Sequence, residues 1–365
     1  MQTAVGGEHV GLHSIKTLHE MGFKVFLCAS AYPEREETVK KVGIDVTDCL
    51  SGFVKAIGRN EILPFFGAYQ RMVYSYMFFK NLICKHDVDF VIVTGGSTLI
   101  PKTMAEKTIV YAHFPIDVEV ASQHYLNNRM KKLYIKPWKF ISNNANYIKK
   151  ATIITNSRYT KNAIKEAWGS DATVIYPPCP QYSFLLTDRK ENVVCSIGRF
   201  TPEKNYEFIL DVAQRLPNIK FELIGSVTTD KIPYLEKLKK AASGNVKFHV
   251  NISVPEKIEI LKRAKCMLHS FVGEHFGIAI IEAKSAGVIP ITHDSGAAQV
   301  DQLVEDKFRY IDTEGAIKSV MNAIDSWSLE ETTKLREFAK QFSAESFNQN
   351  LRTFISNWIV THGIK

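Results

Sequence analysis

The 365-residue sequence lacks the patterns of disulfide scaffolds, membrane spans and secreted precursors. Its six cysteines, at positions 28, 49, 84, 179, 195 and 266, show no CxxC spacing, which favours reduced core thiols. No apolar run reaches the roughly 18 residues of a transmembrane helix, so FVIVTGGSTLI (90–100) predicts a buried strand. The opening MQTAVGGEHV has neither a basic start nor an apolar stretch. We therefore expect no signal peptide and a cytoplasmic protein.

The sequence also contains no dense cluster of His, Asp and Glu and no recognisable nucleic-acid-binding motif. We therefore expect no bound metal ion and no nucleic-acid partner. Internal repeats and low-complexity tracts are absent as well. With 45% apolar and 23% charged residues, the composition is that of an ordinary globular protein.

Positive charge is concentrated in the first half of the chain. Residues 1–180 contain 22 Lys and Arg against 15 Asp and Glu, a net charge of +7 out of the total of +8. A basic half predicts an anionic partner, such as a phosphate-bearing substrate or a membrane surface. A solvated basic face is the alternative that charge alone leaves open.

Short β-branched or aromatic segments alternate with helical patterns along the whole chain. The predicted strands are KVFLCAS, DFVIVTG, TIVYAHF and ATIITNS, then NVVCSIG, IKFELIG, VKFHVNI, CMLHSF and VIPITH. This alternation predicts an α/β fold with two doubly wound parallel sheets. The proline-containing segment 176–192 separates them. We expect domains at 1–180 and 181–341, followed by a C-terminal helix, 342–365, that packs back on the body.

Ligands of open parallel sheets bind beyond the carboxyl ends of the strands, and the cleft between two such domains is the natural site. After the strand NVVCSIG comes RFTPEKN, which supplies Arg199 and Lys204. Two cations at a strand end suit a diphosphate. A surface loop with two solvated charges is the alternative.

The stretch EHFGIAIIE places Glu274 and Glu282 at the two ends of an apolar segment. We predict a helix that starts near Phe276 or Gly277, whose free N–H groups and dipole favour an anion. Glu274 would then lie in the loop and Glu282 more than one turn inside the helix. Each carboxylate can accept hydrogen bonds from vicinal hydroxyls, so the two could hold two sugars on either side of a diphosphate. Alternatively, Glu282 is an ordinary exposed helix residue.

Together, GRFTPEKN and the later EHFGIAIIEAKSAGVIPITHDSGAAQVD resemble the nucleotide-sugar site of the family 4 retaining glycosyltransferases, which have the GT-B fold. VGGEHV (5–10) resembles the family's glycine-rich loop. Within the family, YAHFP (111–115), TNSRYTKNAIKEAW (155–168), VIYPPC (174–179) and EHFGIAIIE are similar to the branch that adds α-1,2-mannose from GDP-mannose to dolichol-linked oligosaccharides. The resemblance leaves GDP-mannose and a UDP-hexose open as donors.

The resemblance implies a role for each matching residue. Arg199 and Lys204 would neutralise the leaving diphosphate, Glu274 would bind hydroxyls of the transferred sugar, and His113 would lie near that sugar and the acceptor. Glu282 would bind the nucleotide ribose. The other implied donor-binding residues are Gly6, Gly7, His275, Phe276, Gly277 and Ile278. The implied reaction takes place on one face of the sugar, needs no metal or cofactor, and uses the nucleotide sugar as co-substrate.

The implied acceptor is a glycan or a lipid-phosphate-linked oligosaccharide. Aromatic and basic residues are interleaved in 63–86 and 127–140, which suits contact with an anionic membrane at its cytoplasmic face. A core helix at 63–86 is the alternative. Two other functions stay open: a GT-B nucleotide-sugar epimerase, and a basic nucleic-acid-binding protein, which the absence of a binding motif disfavours.

Overall fold

The computed structural model describes residues 6–29, 31–55, 77, 88–95, 100, 102–115, 147–184 and 190–364. The chain divides into two units. The first consists of Thr3–Pro177 together with Phe347–Lys365, and the second of Pro178–Ser346. The sequence-based boundaries were 180/181 and 341/342, and here the divisions fall at 177/178 and 346/347. The segments 63–86 (Met77 apart) and 127–140 lie outside the described residues.

The described strands of the first unit form two parallel sheets. Strands β1 (Val25–Ala29) and β2 (Leu50–Lys55) pair with each other. The second sheet has the order β3-β4-β5-β6. Its strands are β3 (Val91–Val93), β4 (Thr108–Ala112), β5 (Thr152–Thr155) and β6 (Thr173–Val174).

Helices α1 (Gly6–Glu20), α2 (Arg35–Val42) and α3 (Arg158–Trp168) belong to the first unit. The long helix α11 (Ala344–His362) joins them from Phe347 onward. Its buried residues share one core with α1 and the sheet: Val10, Ile109, Tyr111, Ile154, Ile175, Phe347, Leu351, Ile355 and Trp358. The indole N–H of Trp358 also donates to Thr152 Oγ1 at 2.8 Å. The C-terminal helix is therefore an integral part of the first unit.

The second unit is built on a six-stranded parallel sheet with the order β9-β8-β7-β10-β11-β12. The strands are β7 (Glu191–Ile197), β8 (Lys220–Gly225), β9 (Val246–Val250), β10 (Ala264–His269), β11 (Ile289–His293) and β12 (Arg309–Tyr310). Numbered along the chain, this is the strand order 3-2-1-4-5-6 of doubly wound nucleotide-binding sheets. Successive strands are added on one side of β7 up to β9 and then, from β10 onward, on its other side, so the strand order reverses between β7 and β10. A ligand site is therefore expected beyond the carboxyl ends of these two strands.

The helices of the second unit pack on its sheet, and the core lies between the helices and the sheet. They are α4 (Tyr206–Arg215), α5 (Ile232–Ala241), α6 (Val254–Arg263), α7 (Ile278–Ser285), α8 (Ala297–Val300), α9 (Thr313–Asp325) and α10 (Leu329–Lys340). Short 3₁₀ turns occur at Thr47–Cys49, Lys102–Lys107, Ile148–Lys150, Pro202–Lys204, Thr229–Lys231 and Asp306–Phe308.

All nine segments predicted as strands are strands here, whereas β2, β6 and β12 were missed. Strands β6 and β12 have only two residues each. Strand β2 contains Gly52, and a glycine weakens the sequence pattern by which a strand is recognised. The side chain of Phe26 on the neighbouring strand β1 is the reason that this position needs a glycine. A Cβ atom at Gly52 would lie 2.7 Å from Cδ1 of Phe26 on β1, so the ring occupies the space that a side chain would need.

The described cysteines differ in how far they are buried. Cys179, Cys195 and Cys266 are buried, as predicted for core thiols, and burial raises the pKa of each. Cys49 is half-buried and Cys28 is exposed, so the prediction of core positions is wrong for Cys28. That residue lies on β1, whose side chains alternate between covered and open positions.

Helix α7 is buried on most of its surface, and this includes Lys284 near its C-terminus. Lys284 Nζ donates to the backbone carbonyl of Gln302 and lies 4.1 Å from the ring centre of Phe338 on α10. Burial lowers the pKa of Lys284 from its usual 10.5 to about 7, although Glu305 and Glu331 act in the opposite direction. The folded state thus binds this proton more weakly than the unfolded chain does.

We predict that Lys284 makes the free energy of unfolding rise with pH between about 7 and 10, because only the unfolded chain keeps the proton in that window. The stability difference between wild type and Lys284→Met should change with pH by up to about 1.4 kcal/mol per unit. Denaturant unfolding at several pH values measures it. Lys340→Met, an exposed lysine paired with Glu337, is the control and should give a flat difference. A flat difference for Lys284→Met as well would contradict the prediction.

Candidate active site

Glu274 lies in the loop between β10 and α7, where two side chains and one backbone N–H of the second unit donate to its carboxylate. Oε2 of Glu274 accepts hydrogen bonds from Lys204 Nζ at 3.2 Å and from His269 Nε2 at 2.9 Å. Its Oε1 accepts from the backbone N–H of His275 at 3.1 Å. Because a carboxylate only accepts, the Nε2 atom of His269 must carry its proton.

The surroundings keep Glu274 ionised. Burial by itself raises the pKa of Glu274, but Lys204, His269 and His275 outweigh it and hold the pKa well below its usual value. The side chain is 14% exposed, so it still reaches solvent. Glu274 therefore offers a fixed negative charge and, on Oε1, one acceptor position that no described residue fills, beyond the end of β10.

Lys204 comes from the 3₁₀ turn after β7 and is fixed on several sides. Its carbonyl accepts from Ser270 Oγ at 2.6 Å, which ties the loop after β7 to the loop after β10. Its ammonium lies 4.2 Å from the ring centre of Phe271, and the side chain is 22% exposed. Since an ammonium has three donors, Lys204 can bind Glu274 and still donate to a ligand.

Arg199 is held less tightly than Lys204. Its Nη2 atom lies 3.7 Å from Oε1 of Glu203, and the side chain is 45% exposed. An exposed pair at this distance is weak, so the guanidinium can turn to an anion at little cost. Arg199 and Lys204 thus follow the same strand, β7, but only Lys204 contacts Glu274 in this structure.

Two glycines allow the Glu274 loop to take its path. Gly277 has φ of 87°, and a Cβ there would lie 2.6 Å from Cδ1 of Ile280 and 3.0 Å from Cγ of Glu274. Gly296, in the loop after β11, has φ of 70°, and its Cβ would lie 2.5 Å from the carbonyl oxygen of Glu274. That same carbonyl accepts from the N–H of Ala297 at 2.8 Å. The loop after β11 therefore fixes the backbone of Glu274.

Helix α7 begins at Ile278 with Gly277 as its N-cap, one residue beyond the predicted start. The backbone N–H groups of Ile278 and Ala279 have no acceptor among the residues that the structure describes. Both residues are half-buried. The ring of Phe276 packs against Phe342 with 5.6 Å between ring centres, and its carbonyl accepts from Gln302 Nε2 at 2.7 Å. The two N–H groups are the type of donors that bind a phosphate at a helix N-terminus.

Glu282 is buried, with 5% of the residue exposed, so the alternative of an ordinary exposed helix position is wrong. Its Oε1 accepts from Tyr182 Oη at 2.5 Å and from Lys257 Nζ. A carboxylate inside a protein is costly unless it is paired, and these two donors supply the pairing.

The described residues of the first unit place His113 at the end of β4 beside Gly7. His113 Nε2 donates to the carbonyl of Thr94 at 3.0 Å, and a Cβ at Gly7 would lie 3.1 Å from the same nitrogen. Burial lowers the pKa of His113, against the opposing effect of the Thr94 bond. The imidazole is therefore neutral near pH 7, with its proton on Nε2 and its Nδ1 unprotonated. Gly6 is the first residue of α1.

Sequence reasoning missed several residues that shape these sites: His269, Ser295, Gly296, Tyr182 and Lys257. His269 ends strand β10 and could have been found from that position alone. Ser295 Oγ accepts from the N–H of Gly273 at 2.8 Å and follows β11. Tyr182 and Lys257 are 100 and 25 residues from Glu282 along the chain, and no local pattern links them to it.

Among the described residues, no group of three or more His, Cys, Asp and Glu side chains has an arrangement that could hold a metal ion. Within the same residues, every helix is too short or too polar to cross a membrane.

The chain aligns with several solved structures over nearly its whole length. The chain aligns with HepE of Anabaena, crystallised with UDP and glucose, at a TM-score of 0.67 and 17% identity, covering 98% of this chain and 97% of that one. Sucrose-phosphate synthase of Thermosynechococcus elongatus aligns at a TM-score of 0.70 and 15% identity, covering 98% and 95%. The glycosyltransferase WaaG of lipopolysaccharide biosynthesis aligns at 0.68 and 13%, covering 96% of each chain.

Sequence comparison gives the same classification. A sequence model described as Glycosyltransferase Family 4 matches residues 5–180, and one described as Glycosyl transferases group 1 matches residues 183–347. The two parallel-sheet units, the strand order of the second and these matches define a glycosyltransferase of the GT-B fold. Within that class, the chain belongs to the family 4 glycosyltransferases, and the resemblance read from its motifs is confirmed.

The curated relatives it resembles carry the name GDP-Man:Man(3)GlcNAc(2)-PP-Dol alpha-1,2-mannosyltransferase. The Xenopus laevis protein is 31% identical over 227 residues, which cover 54% of this chain and 47% of the relative. The human protein is 30% identical over 175 residues, covering 42% and 36%, and the Candida glabrata protein 24% over 316 residues, covering 68% and 62%. These matches span about half the length of the Xenopus relative and about a third of the human one.

We predict that Gly277→Ala destabilises the second unit by about 1–3 kcal/mol, because alanine is strained at this positive φ and its Cβ meets Ile280 and Glu274. Denaturant unfolding measures the change. Gly244→Ala is the matched control, since a Cβ there meets nothing within 4 Å. It should change stability by less than about 0.5 kcal/mol. Equal effects of the two substitutions would refute the role given to Gly277.

Proposed function

We propose that this chain is a retaining hexosyltransferase that moves a hexose from a nucleotide diphosphate sugar to a glycan or lipid-linked oligosaccharide. The observation that carries the proposal is the contact of Lys204 with Glu274 beyond the ends of β7 and β10. It puts a partly exposed cation and a fixed carboxylate side by side where a doubly wound sheet binds its ligand. A sugar diphosphate needs both charges: a cation for the phosphates and an acceptor for the hydroxyls.

The donor would lie along the site from the loop after β7 to helix α7. Lys204, Arg199 and the free N–H groups of Ile278 and Ala279 would bind the diphosphate. Glu274 would accept hydrogen bonds from hydroxyls of the hexose, and Glu282 from those of the ribose. The backbone of His275, Phe276 and Gly277 would line the sugar and the phosphates.

The chemistry follows from the charges that develop during transfer. The bond between the anomeric carbon and the phosphate oxygen breaks, which leaves positive charge on the ring and negative charge on the diphosphate. The acceptor hydroxyl forms the new bond on the same face, and its proton passes to the leaving phosphate. Lys204 and Arg199 stabilise the diphosphate without a metal ion, while ionised Glu274 lies beside the positive ring.

For the first unit we propose binding of the acceptor. Neutral His113 would use its unprotonated Nδ1 as a hydrogen-bond acceptor for a sugar hydroxyl, with Gly6 and Gly7 beside it. The names of the curated relatives support a dolichol-linked oligosaccharide as acceptor. The excess of positive charge in residues 1–180 is consistent with a lipid-phosphate substrate and with work at the cytoplasmic face of an anionic membrane.

GDP-mannose is the donor that we favour, because the curated relatives are named for it. A UDP-hexose is the second candidate, since HepE was crystallised with UDP and glucose. The epimerase alternative receives no support from the matches, and neither does a nucleic-acid-binding function.

Replacing either member of the central ion pair should abolish transfer without unfolding the protein. For Glu274→Gln and Lys204→Met we expect kcat to fall by about 10²- to 10³-fold, as for the loss of one group that stabilises transition-state charge. Transfer from radiolabelled GDP-mannose to a dolichol-linked oligosaccharide measures it, with circular dichroism to verify folding. EDTA should leave the wild-type rate unchanged.

The controls are Glu330→Gln and Lys334→Met, which disrupt an exposed ion pair on α10 and should leave transfer at the wild-type rate. Near-normal turnover by Glu274→Gln or by Lys204→Met would remove the proposed mechanism.

A thermal-shift screen should identify the donor, because a ligand that binds only the folded state stabilises it by about 2.7 kcal/mol at 100 times its Kd. We expect GDP-mannose and GDP to raise the Tm more than UDP-glucose and UDP at equal concentration. The reverse order would assign a UDP-hexose. A Tm that none of the four ligands changes would contradict a nucleotide-sugar site.

A further inference from the structure

The carboxylate of Glu282 is used unequally by the protein. Oε1 receives two donors, Tyr182 Oη and Lys257 Nζ. Each carboxylate oxygen has about two acceptor positions, so Oε1 is saturated. For Oε2, the described part of the chain supplies no hydrogen-bond donor. One oxygen is thus fully occupied, and the other is left for a ligand.

Tyr182 reaches Glu282 from a segment that is itself tied down. The carbonyl of Pro180 accepts from Ser285 Oγ at 3.0 Å, and the carbonyl of Phe184 accepts from Arg336 Nη2 at 2.8 Å. Gln181 Nε2 also donates to the carbonyl of Ala339 at 3.1 Å. These bonds connect residues 180–184 to α7 and α10, so the phenol is held in position over the second turn of α7.

Lys257 reaches the same oxygen from helix α6. The helix is fixed at its start by a capping box, in which Ser253 and Glu256 bond reciprocally. The side chain of Lys257 is 20% exposed, so its ammonium is partly removed from water along with the carboxylate. Two elements, the segment 180–184 and helix α6, therefore hold one oxygen of Glu282.

We propose that Tyr182 and Lys257 are positioning residues for recognition of the donor's ribose: they saturate Oε1 of Glu282 and direct Oε2 to the ribose hydroxyls. This inference rests on the proposed function, in which Glu282 binds that ribose. A carboxylate that kept only one of the two donors could rotate about its last torsion, which is broad for glutamate. Oε2 would then spend less time where a hydroxyl needs it.

The phenol is suited to this task because it remains a donor. Burial raises the pKa of Tyr182, and Glu282 raises it further, so the hydroxyl keeps its proton at neutral pH. Of the two donors, only Lys257 carries a charge, so a single cation balances the negative charge of Glu282.

The test compares nucleoside diphosphates with and without ribose hydroxyls. Calorimetry measures Kd for GDP and for 2′,3′-dideoxy-GDP, and the same pair of uridine compounds covers the second donor candidate. In wild type the loss of the hydroxyls should weaken binding about tenfold, which corresponds to about 1.4 kcal/mol. In Tyr182→Phe and in Lys257→Met we expect this ratio to fall to about threefold or less.

Matched controls separate positioning from a general loss of structure. Tyr234→Phe removes another phenol–carboxylate bond, to Glu207, and Lys239→Met removes another lysine–glutamate pair, to Glu236 on α5. Both should keep the tenfold ratio. Lys257→Arg, which preserves the charge, should restore part of the ratio lost in Lys257→Met.

The outcomes distinguish the inference from the function on which it rests. If wild type discriminates the hydroxyls and both variants do so equally well, the inference is overturned, even when their affinity for GDP has dropped. If wild type binds neither diphosphate, the proposed function fails first. Should one variant not fold, the ratio in the other decides.

Discussion

The half-buried charge of Glu274 is the constraint on which the rest of the second unit's site depends. A carboxylate that is largely removed from water requires compensation, and the chain provides it with Lys204 and His269 from two neighbouring strand ends. The same contacts fix the cation that we assign to the diphosphate. Removing either donor would weaken both the position and the charge compensation of Glu274, so the geometry and the electrostatics of the site depend on the same contacts.

The sheet order explains why these residues meet. Strands β7 and β10 are not consecutive in the chain, and they are neighbours because the strand order of the sheet reverses between them. The loop after β7 brings Lys204, the loop after β10 brings Glu274, and the loop after β11 fixes Glu274 from behind through Gly296 and Ala297. Three loops from adjacent strands thus converge at one edge, which is the general location of ligand sites in open parallel sheets.

Much of this arrangement could be predicted from the sequence, because it is recorded in local patterns. The nine predicted strands are short apolar runs between turn residues, and the helix after EHFG begins within one residue of the expected place. The unpredicted parts depend on distant residues. Burial of Glu282 under Tyr182 and Lys257 is a tertiary contact, and the pairing of His269 with Glu274 requires knowledge of how the loop turns back on its strand. Two-residue strands such as β6 and β12 carry too little pattern to be recognised.

The most direct test of the central claim is a crystal structure of the protein with GDP-mannose or an unreactive analogue of it. The account predicts phosphate oxygens within hydrogen-bond distance of Lys204 Nζ, hexose hydroxyls on Glu274, and ribose hydroxyls on Oε2 of Glu282. A nucleotide bound away from the ends of β7 and β10, with the Lys204–Glu274 pair untouched, would contradict it.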